Sequence, residues 1–157
     1  MRIRLIAVGT RMSAWVDAAV ADYSRRLRGA AALELLEVPL ARRGDGADAA
    51  RAVAAEGGRI LALLAAREYA VALDERGRSF TTLEFSDWLG ARRHSGEPLS
   101  FIIGGPDGLD AAVLARVQLR WSLSALTFPH ALVRVLLAEQ LYRAAMVLAG
   151  HPYHRAQ

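Results

Sequence analysis

Short apolar segments rich in branched residues alternate with longer segments of helical periodicity along this chain of 157 residues. The alternation favours a mostly parallel sheet with helices on both faces, because parallel strands require long crossover connections. Neither an internal repeat nor a low-complexity segment divides the chain, so we predict one α/β domain over residues 1–157. The predicted strands are Arg2–Val8, Leu33–Val38, Tyr69–Leu73, Leu99–Ile103 and Trp121–Leu126.

Helix-start residues precede three of the segments that show helical spacing. A fourth helix, Ala131–Ala149, is apolar on more than one face and must be buried, and a dimer interface is one way to bury it. The first three helices begin after Ser13, after Asp48, and at Thr81 or Thr82, and they end near Arg28, Ala66 and His94.

Composition excludes several classes of protein. The chain has no cysteine, which excludes disulfides and thiolate metal sites. Arg, Asp or Glu interrupts every apolar run before about 18 residues, so we expect no transmembrane helix. The opening MRIRLIAVGTRM has too short an apolar core for a signal peptide and is typical of a first strand. We therefore expect a cytoplasmic protein with no metal and no membrane contact.

The net charge is concentrated near the C-terminus. All 20 basic residues are Arg, and from Met1 to Asp110 they number 15 against 15 acids. The last 47 residues carry five Arg against the single acid Glu139, which accounts for the net charge of +4. This asymmetry indicates a polyanionic partner near the C-terminal end, unless these arginines only keep helix surfaces soluble.

Two loops follow predicted strands at the edge where α/β sheets bind ligands. Gly104 and Gly105 lack a Cβ, so a flat ligand or another backbone segment can approach them closely. A plain Gly-Pro turn without a ligand is the alternative interpretation of the same sequence. No Lys follows these glycines, which argues against a triphosphate. The second loop is SLSALTFPH from Ser122, and it combines backbone polar groups with apolar side chains, as a nucleoside pocket requires. The alternative is a buried strand that ends at Pro129. Together the loops suggest a neutral or cationic nucleoside ligand.

Four segments resemble the RlmH family of SPOUT methyltransferases. They are GGPDG at Gly104–Gly108, SLSALTFPH at Ser122–His130, the helical LVRVLLAEQLYRA and the ending HPYHR, with Gly150 where family members usually carry Asn. The resemblance implies a parallel α/β fold with a C-terminal trefoil knot, a homodimer, and S-adenosylmethionine bound in the knot. It implies N3-methylation of a pseudouridine in large-subunit (23S) ribosomal RNA. Physical priors disfavour knots, so only the resemblance supports this one.

The resemblance also implies cofactor contacts at both loops. They are Leu73, Gly104, Gly105, Leu123, Ser124, Ala125, Leu126, Thr127 and Phe128.

The same resemblance places the catalytic groups in the last helix and the tail. His154 is the leading candidate for the base that removes the imide proton, and Glu139 is second. Arg143 and Arg155 are candidates for stabilising a developing negative oxygen or holding RNA phosphate, and Tyr153 for stacking on the target base.

Simpler interpretations of these groups stay open. His154 near a chain end is often merely solvated, and Glu139 has the spacing for an ordinary ion pair with Arg143. His130 is also a simple helix-start residue, and Arg134 is a candidate for pairing across a dimer.

A chain this short has no room for a separate RNA-binding domain. We therefore expect one subunit's cofactor loops and the other's tail to form each site, and the enzyme to recognise an assembled ribosomal surface. The alternatives are a ribosome-binding module without activity and a methyltransferase for another RNA site.

Overall fold

A five-stranded parallel sheet forms the centre of the molecule. The structure is a computed structural model that describes residues 1–44 and 48–154, and of His154 only the backbone. The strands lie in the order β2-β1-β4-β3-β5, and each neighbouring pair is parallel. Their bounds are β1 Arg2–Val8, β2 Ala32–Val38, β3 Tyr69–Ser79, β4 Leu99–Ile103 and β5 Leu119–Ser122.

Five α-helices and a final 3₁₀ turn follow the strands. The N-cap of α3 is Thr81, whose side chain accepts from the amide of Glu84 while the Glu84 carboxylate accepts from the amide of Thr81. The same helix ends at Gly96 in the left-handed conformation, close to the predicted end near His94. The bounds are α1 Ala14–Leu27, α2 Asp48–Leu63, α3 Thr82–Ser95, α4 Ala111–Arg116 and α5 His130–Leu148, with the 3₁₀ turn at Pro152–His154.

The helices cover both faces of the sheet. One core lies between the sheet and α1, α3 and α5, where Leu27, Phe85, Leu137 and Leu141 pack on the strands. The second core lies under α2 and α4 and is centred on Ile60 and Val113. The predicted parallel α/β sheet with helices on both faces is therefore confirmed, whereas the trefoil knot stays a prediction.

Two strand predictions were wrong at the sheet edge. Strand β3 does not end at Leu73 as predicted but continues to Ser79. Leu73 and Arg78 both lie opposite Trp121 on β5, so the residues between them bulge out of the ladder. Strand β5 ends at Ser122, before most of the predicted segment Trp121–Leu126, and the rest is loop.

A close backbone approach permits this bulge. A Cβ on Gly77 would lie 2.5 Å from the carbonyl of Arg120, so only glycine fits there.

No helix within residues 1–44 and 48–154 is long and apolar enough to cross a membrane. The same described residues contain no cluster of three or more His, Cys, Asp or Glu side chains able to hold a metal ion.

Candidate functional site

A cavity of about 640 Å³ opens at the carboxyl edge of the sheet. Four segments line it: the β3 bulge, the β4–α4 loop, the β5–α5 loop and the first turn of α5. Parallel α/β sheets bind ligands at this edge, so the position of the cavity fits the site expected from the two loops that follow predicted strands.

Eight of the nine predicted cofactor residues line this cavity. The exception is Ala125, which is exposed at the tip of the β5–α5 loop and is not part of the lining. The eight are Leu73, Gly104, Gly105, Leu123, Ser124, Leu126, Thr127 and Phe128.

The β4–α4 loop is a tight turn that is fastened from outside the cavity. A Cβ on Gly104 would lie 2.9 Å from the backbone carbonyl of Gly108, so the close approach expected there is backbone to backbone. Arg43 donates from Nε to the Oδ2 of Asp107 at 2.6 Å and from Nη2 to the Oε1 of buried Glu56 at 2.7 Å. These hydrogen bonds, those from Arg43 to Asp107 foremost, raise the guanidinium pKa. The ion pairs thus hold the loop against α2.

The β3 bulge forms a polar lip that sequence reasoning missed. Burial raises the pKa of Asp74, but the backbone amide of Arg76 and the guanidinium of Arg120 outweigh it and lower the pKa overall. Arg120 Nε donates to the Asp74 carboxylate at 2.7 Å. Thr127 Oγ1 donates to the Oε2 of Glu75 at 3.0 Å, which joins the lip to the β5–α5 loop. The only sequence signal was an acidic residue, Asp74, at a predicted strand end.

Serine side chains shape the β5–α5 loop. The Ser122 hydroxyl donates to the carbonyl of Ser124 at 2.9 Å, and the Ser124 hydroxyl accepts from the amide of Leu126 at the same distance. The loop leaves the Leu126 side chain 72% exposed although it lines the cavity. An apolar residue held open beside a cavity is consistent with a ligand wall.

The first turn of α5 closes the cavity with His130 and Val133. The expected pairing of Arg134 across a dimer was wrong. Its guanidinium is buried within the chain and pairs with Glu37 of β2 at 2.7 Å.

Three of the predicted catalytic residues form a separate cluster on the second half of α5. Glu139 Oε1 accepts from the Nη2 of Arg143 at 2.6 Å and from the hydroxyl of Tyr153 at 3.3 Å, while its Oε2 accepts from Gln140 at 2.6 Å. The Arg143 guanidinium lies 5.0 Å from the centre of the Tyr153 ring. The ion pair between Glu139 and Arg143 was the simpler of the two interpretations, and it is present.

The Tyr153 hydroxyl is held in its protonated form. Burial, then a hydrogen bond to Tyr23 and the charge of Glu139, raise the pKa of Tyr153 to about 12. Its ring packs against Tyr142, with 4.6 Å between ring centroids.

The cavity and the cluster of Glu139, Arg143 and Tyr153 lie apart along α5. Nine residues of helix separate His130 from Glu139, which corresponds to about 14 Å, and Arg143 lies a further turn away. Neither Glu139, Arg143 nor Tyr153 lines the cavity. Arg155 and the side chain of His154 lie outside the described residues, so their predicted roles stay predictions.

The charge asymmetry of the sequence does not persist in the fold. Four of the five arginines after Asp110 bond within the chain: Arg120 to Asp74, Arg134 to Glu37, Arg143 to Glu139, and Arg116 to two backbone carbonyls. The fifth, Arg155, lies outside the described residues. Each of the described C-terminal arginines is therefore bound within the chain, and the polyanionic partner that the asymmetry indicated stays a prediction.

Comparison with known proteins gives close relatives over the whole chain. A protein of Thioalkalivibrio sulfidiphilus named ribosomal RNA large subunit methyltransferase H is 56% identical over 155 residues, or 99% of both chains. A protein of the same name from Alkalilimnicola ehrlichii is 55% identical over 156 residues, which is 99% of this chain and 100% of the relative.

Solved structures share the fold at low identity. A probable methylase family protein from Haemophilus influenzae matches with a TM-score of 0.58 and 14% identity, over 98% of this chain and 70% of that one. A probable methyltransferase from Bordetella pertussis matches with a TM-score of 0.53 and 20% identity, over 91% and 93% of the two chains. The family model described as "Predicted SPOUT methyltransferase" matches residues 1–154. The chain therefore belongs to the SPOUT methyltransferase family.

Proposed function

We propose that this protein transfers a methyl group from S-adenosylmethionine to N3 of a pseudouridine in large-subunit ribosomal RNA. The observation that carries the proposal is the convergence of eight predicted cofactor residues on one cavity at the carboxyl edge of the sheet. The relatives named as large-subunit ribosomal RNA methyltransferases support the RNA substrate. A ribosome-bound protein in the cytoplasm fits this activity.

The chemistry of the cavity lining fits S-adenosylmethionine. Its volume of about 640 Å³ is in the usual range for small-molecule sites. Three carboxylates, Asp74, Glu75 and Asp107, face two guanidiniums, Arg76 and Arg120, so the lining has no excess of cations for a polyphosphate. S-adenosylmethionine carries no phosphate and bears a cationic sulfonium that supplies an activated methyl group when bound.

The protein's own contribution is orientation and proton removal. The β4–α4 and β5–α5 loops hold the cavity walls in place, and alignment of reacting atoms is worth up to about 7–11 kcal/mol in ideal cases. The proton on the target nitrogen requires an acceptor, for which His154 remains our first candidate. Glu139 is less suited, because Arg143, Gln140 and Tyr153 already donate to its oxygens.

A homodimer that forms through α5 would bring the cavity of one subunit beside the cluster of Glu139, Arg143 and Tyr153 of the other. Half-buried apolar residues Leu132, Val135 and Leu136 lie on α5 without belonging to either core cluster. Glu139 and Arg143 continue this row at helical spacing. Two copies of α5 that run in opposite directions about a two-fold axis would bring the second half of each helix beside the first half of the other. Each site would then combine one protomer's cavity with its partner's tail.

Mixed dimers test this shared site. One subunit carries Gly104→Val in its cofactor loop and the other ends after Ala149, and two affinity tags isolate the heterodimer. Shared sites restore one intact site of two, so activity should be about half that of the wild type. Sites built within one subunit leave this heterodimer inactive.

A crossed control reverses the pattern. When one subunit carries both defects and the other is wild type, shared sites are both broken, whereas sites within a subunit retain half of the activity. Activity in the crossed heterodimer alone therefore contradicts the proposal.

The central experiment maps methylation directly. Ribosomes from a strain that lacks this gene are incubated with the protein and S-adenosylmethionine, and the ribosomal RNA is digested and mapped by mass. We expect one added methyl group, on a pseudouridine, and equal treatment of a short RNA hairpin should give far less product. A methyl group on another nucleotide would show a different RNA site, and binding to ribosomes without product would show a module without activity.

A further inference from the structure

A buried arginine connects the first turn of α5 to the ends of two strands. The residue Arg134 is 0% exposed. Its Nη1 donates to the Glu37 carboxylate at 2.7 Å, and its Nη2 donates to the carbonyls of Gly9 at 2.7 Å and Val8 at 3.3 Å. Its Nε is buried and has no hydrogen-bond partner among the described residues.

Fold stability alone does not account for an ionic group at this position. Removing a guanidinium from water costs several kcal/mol, and apolar residues of similar volume are often as stabilising or more so. The rest of the helix face that packs here is apolar, with Leu137, Ala138 and Leu141 fully buried. Directed hydrogen bonds differ from apolar packing in that they specify one orientation of the helix.

The orientation that Arg134 specifies is that of the cavity wall. His130, one turn earlier on α5, lines the cavity together with Val133. A Cβ on Gly9 would lie 3.6 Å from Arg134 Nη2 and 4.0 Å from His130 Nε2, so the imidazole and the guanidinium flank the same turn of backbone. The Gly9 amide donates to the carbonyl of Val38 at 2.7 Å, which joins the ends of β1 and β2. The two strand ends and the start of α5 thus form one hydrogen-bonded corner behind the cavity.

We propose that Arg134, paired with Glu37, is a positioning residue that sets His130 and Val133 as the wall against which the methyl donor binds. The proposal rests on the proposed function, because it assumes that this cavity receives S-adenosylmethionine. Neither Arg134 nor Glu37 lines the cavity, so both act through the first turn of α5.

The test compares the same substitution at two buried ion pairs. Arg134→Lys removes the forked guanidinium beside the cavity. Arg4→Lys is the matched control at the amino edge of the sheet, where Arg4 binds Glu68 and the carbonyl of Leu63. Glu37→Gln, on a carboxylate that is one-third exposed, serves where Arg134→Lys fails to fold.

Three measurements are made on each variant. They are the Kd for S-adenosylhomocysteine by calorimetry, the imidazole signals of His130 by NMR in the ligand-free protein, and the urea midpoint. We expect Arg134→Lys and Glu37→Gln to shift the His130 signals and to raise the Kd about threefold to thirtyfold, which lies within the range for contacting residues that couple. Arg4→Lys should lower the urea midpoint while the Kd and the His130 signals stay at wild-type values.

A double-mutant cycle separates positioning from general damage. In a His130→Ala background, Glu37→Gln should raise the Kd by less than it does in the wild type, because one of the two side chains that the ion pair positions is gone. Wild-type Kd and His130 signals in Arg134→Lys and Glu37→Gln would overturn the proposal, as would full additivity in the cycle. If the wild-type protein fails to bind S-adenosylhomocysteine, the proposed function fails instead, and the NMR signals still report whether Arg134 positions His130.

Discussion

The adjacent glycines Gly104 and Gly105 should respond differently to the same added methyl group. Neither has a positive φ, so alanine fits both backbones and stabilises each by about 0.4–1 kcal/mol through the unfolded state. At position 104 the new Cβ would lie 2.9 Å from the backbone of Gly108, and backbone cannot move aside without moving the loop. Overpacking of this kind costs about 1–3 kcal/mol, so the net effect lies between about 0 and 2.6 kcal/mol, and mid-range values leave Gly104→Ala destabilised by about 1.3 kcal/mol.

At position 105 the new methyl group meets only side chains. They are Val8 Cγ1 at 3.1 Å, Leu40 Cδ1 at 3.3 Å and Glu56 Oε2 at 3.7 Å, and Leu40 is 48% exposed. We therefore expect Gly105→Ala to stay within about 0.5 kcal/mol of the wild type.

Binding should follow the same order. If the strain at Gly104 is relieved by moving the loop, the Kd for S-adenosylhomocysteine rises by about fivefold to thirtyfold, whereas Gly105→Ala changes it less than about twofold. Urea unfolding and calorimetry measure the two quantities on the same preparations. Equal effects in the two variants, or a larger loss in Gly105→Ala, would refute the assignment of the close backbone approach to Gly104.

Three further outcomes are expected. Gly77→Ala should disrupt the β3 bulge, because its Cβ would meet the backbone of Arg120. Calorimetry should then show binding of S-adenosylhomocysteine weakened more than tenfold, and a wild-type affinity would show that the polar lip formed by this bulge plays no part in binding. Thr127→Val keeps the shape but removes the hydrogen bond to Glu75, so the Kd should rise by about threefold to tenfold, and an unchanged Kd would mean that the two loops are held in place without it. Although burial raises the pKa of Glu68, bonds from its neighbours lower it overall, so its stabilising effect is present above about pH 4.3 and is lost as the pH falls further. Urea midpoints at pH 7 and pH 3.5 should therefore differ less in Glu68→Gln than in the wild type, and equal differences would contradict this.

Two of the three central strands, β1 and β4, were predictable because branched apolar residues dominate them. Arg2–Val8 and Leu99–Ile103 occur with the predicted bounds, and both strands lie inside the sheet. The edge was harder to predict. The bulge after Leu73 depends on whether Gly77 can approach β5, more than 40 residues later, and no local pattern encodes that contact.

The lining of the cavity was predictable and its charge pairing was not. Eight of nine cofactor residues converge because the loops after β4 and β5, the strands on either side of β3, lie at the same edge of the parallel sheet. The partners of the C-terminal arginines are distant in sequence: Asp74 is 46 residues from Arg120, and Glu37 is 97 residues from Arg134. Counting charges along the chain therefore could not show which arginines are paired, since pairing is decided by the fold.

The continuity of α5 has a consequence for how the chain can vary. One uninterrupted helix carries His130 at its first residue and the cluster of Glu139 and Arg143 beyond its midpoint. An inserted or deleted residue between them would rotate one group by about 100° relative to the other and change their spacing by about 1.5 Å. A length change that preserves this alignment must therefore fall outside the segment between the two groups, and a chain that gained a residue between positions 131 and 138 would lose the alignment of both groups at once.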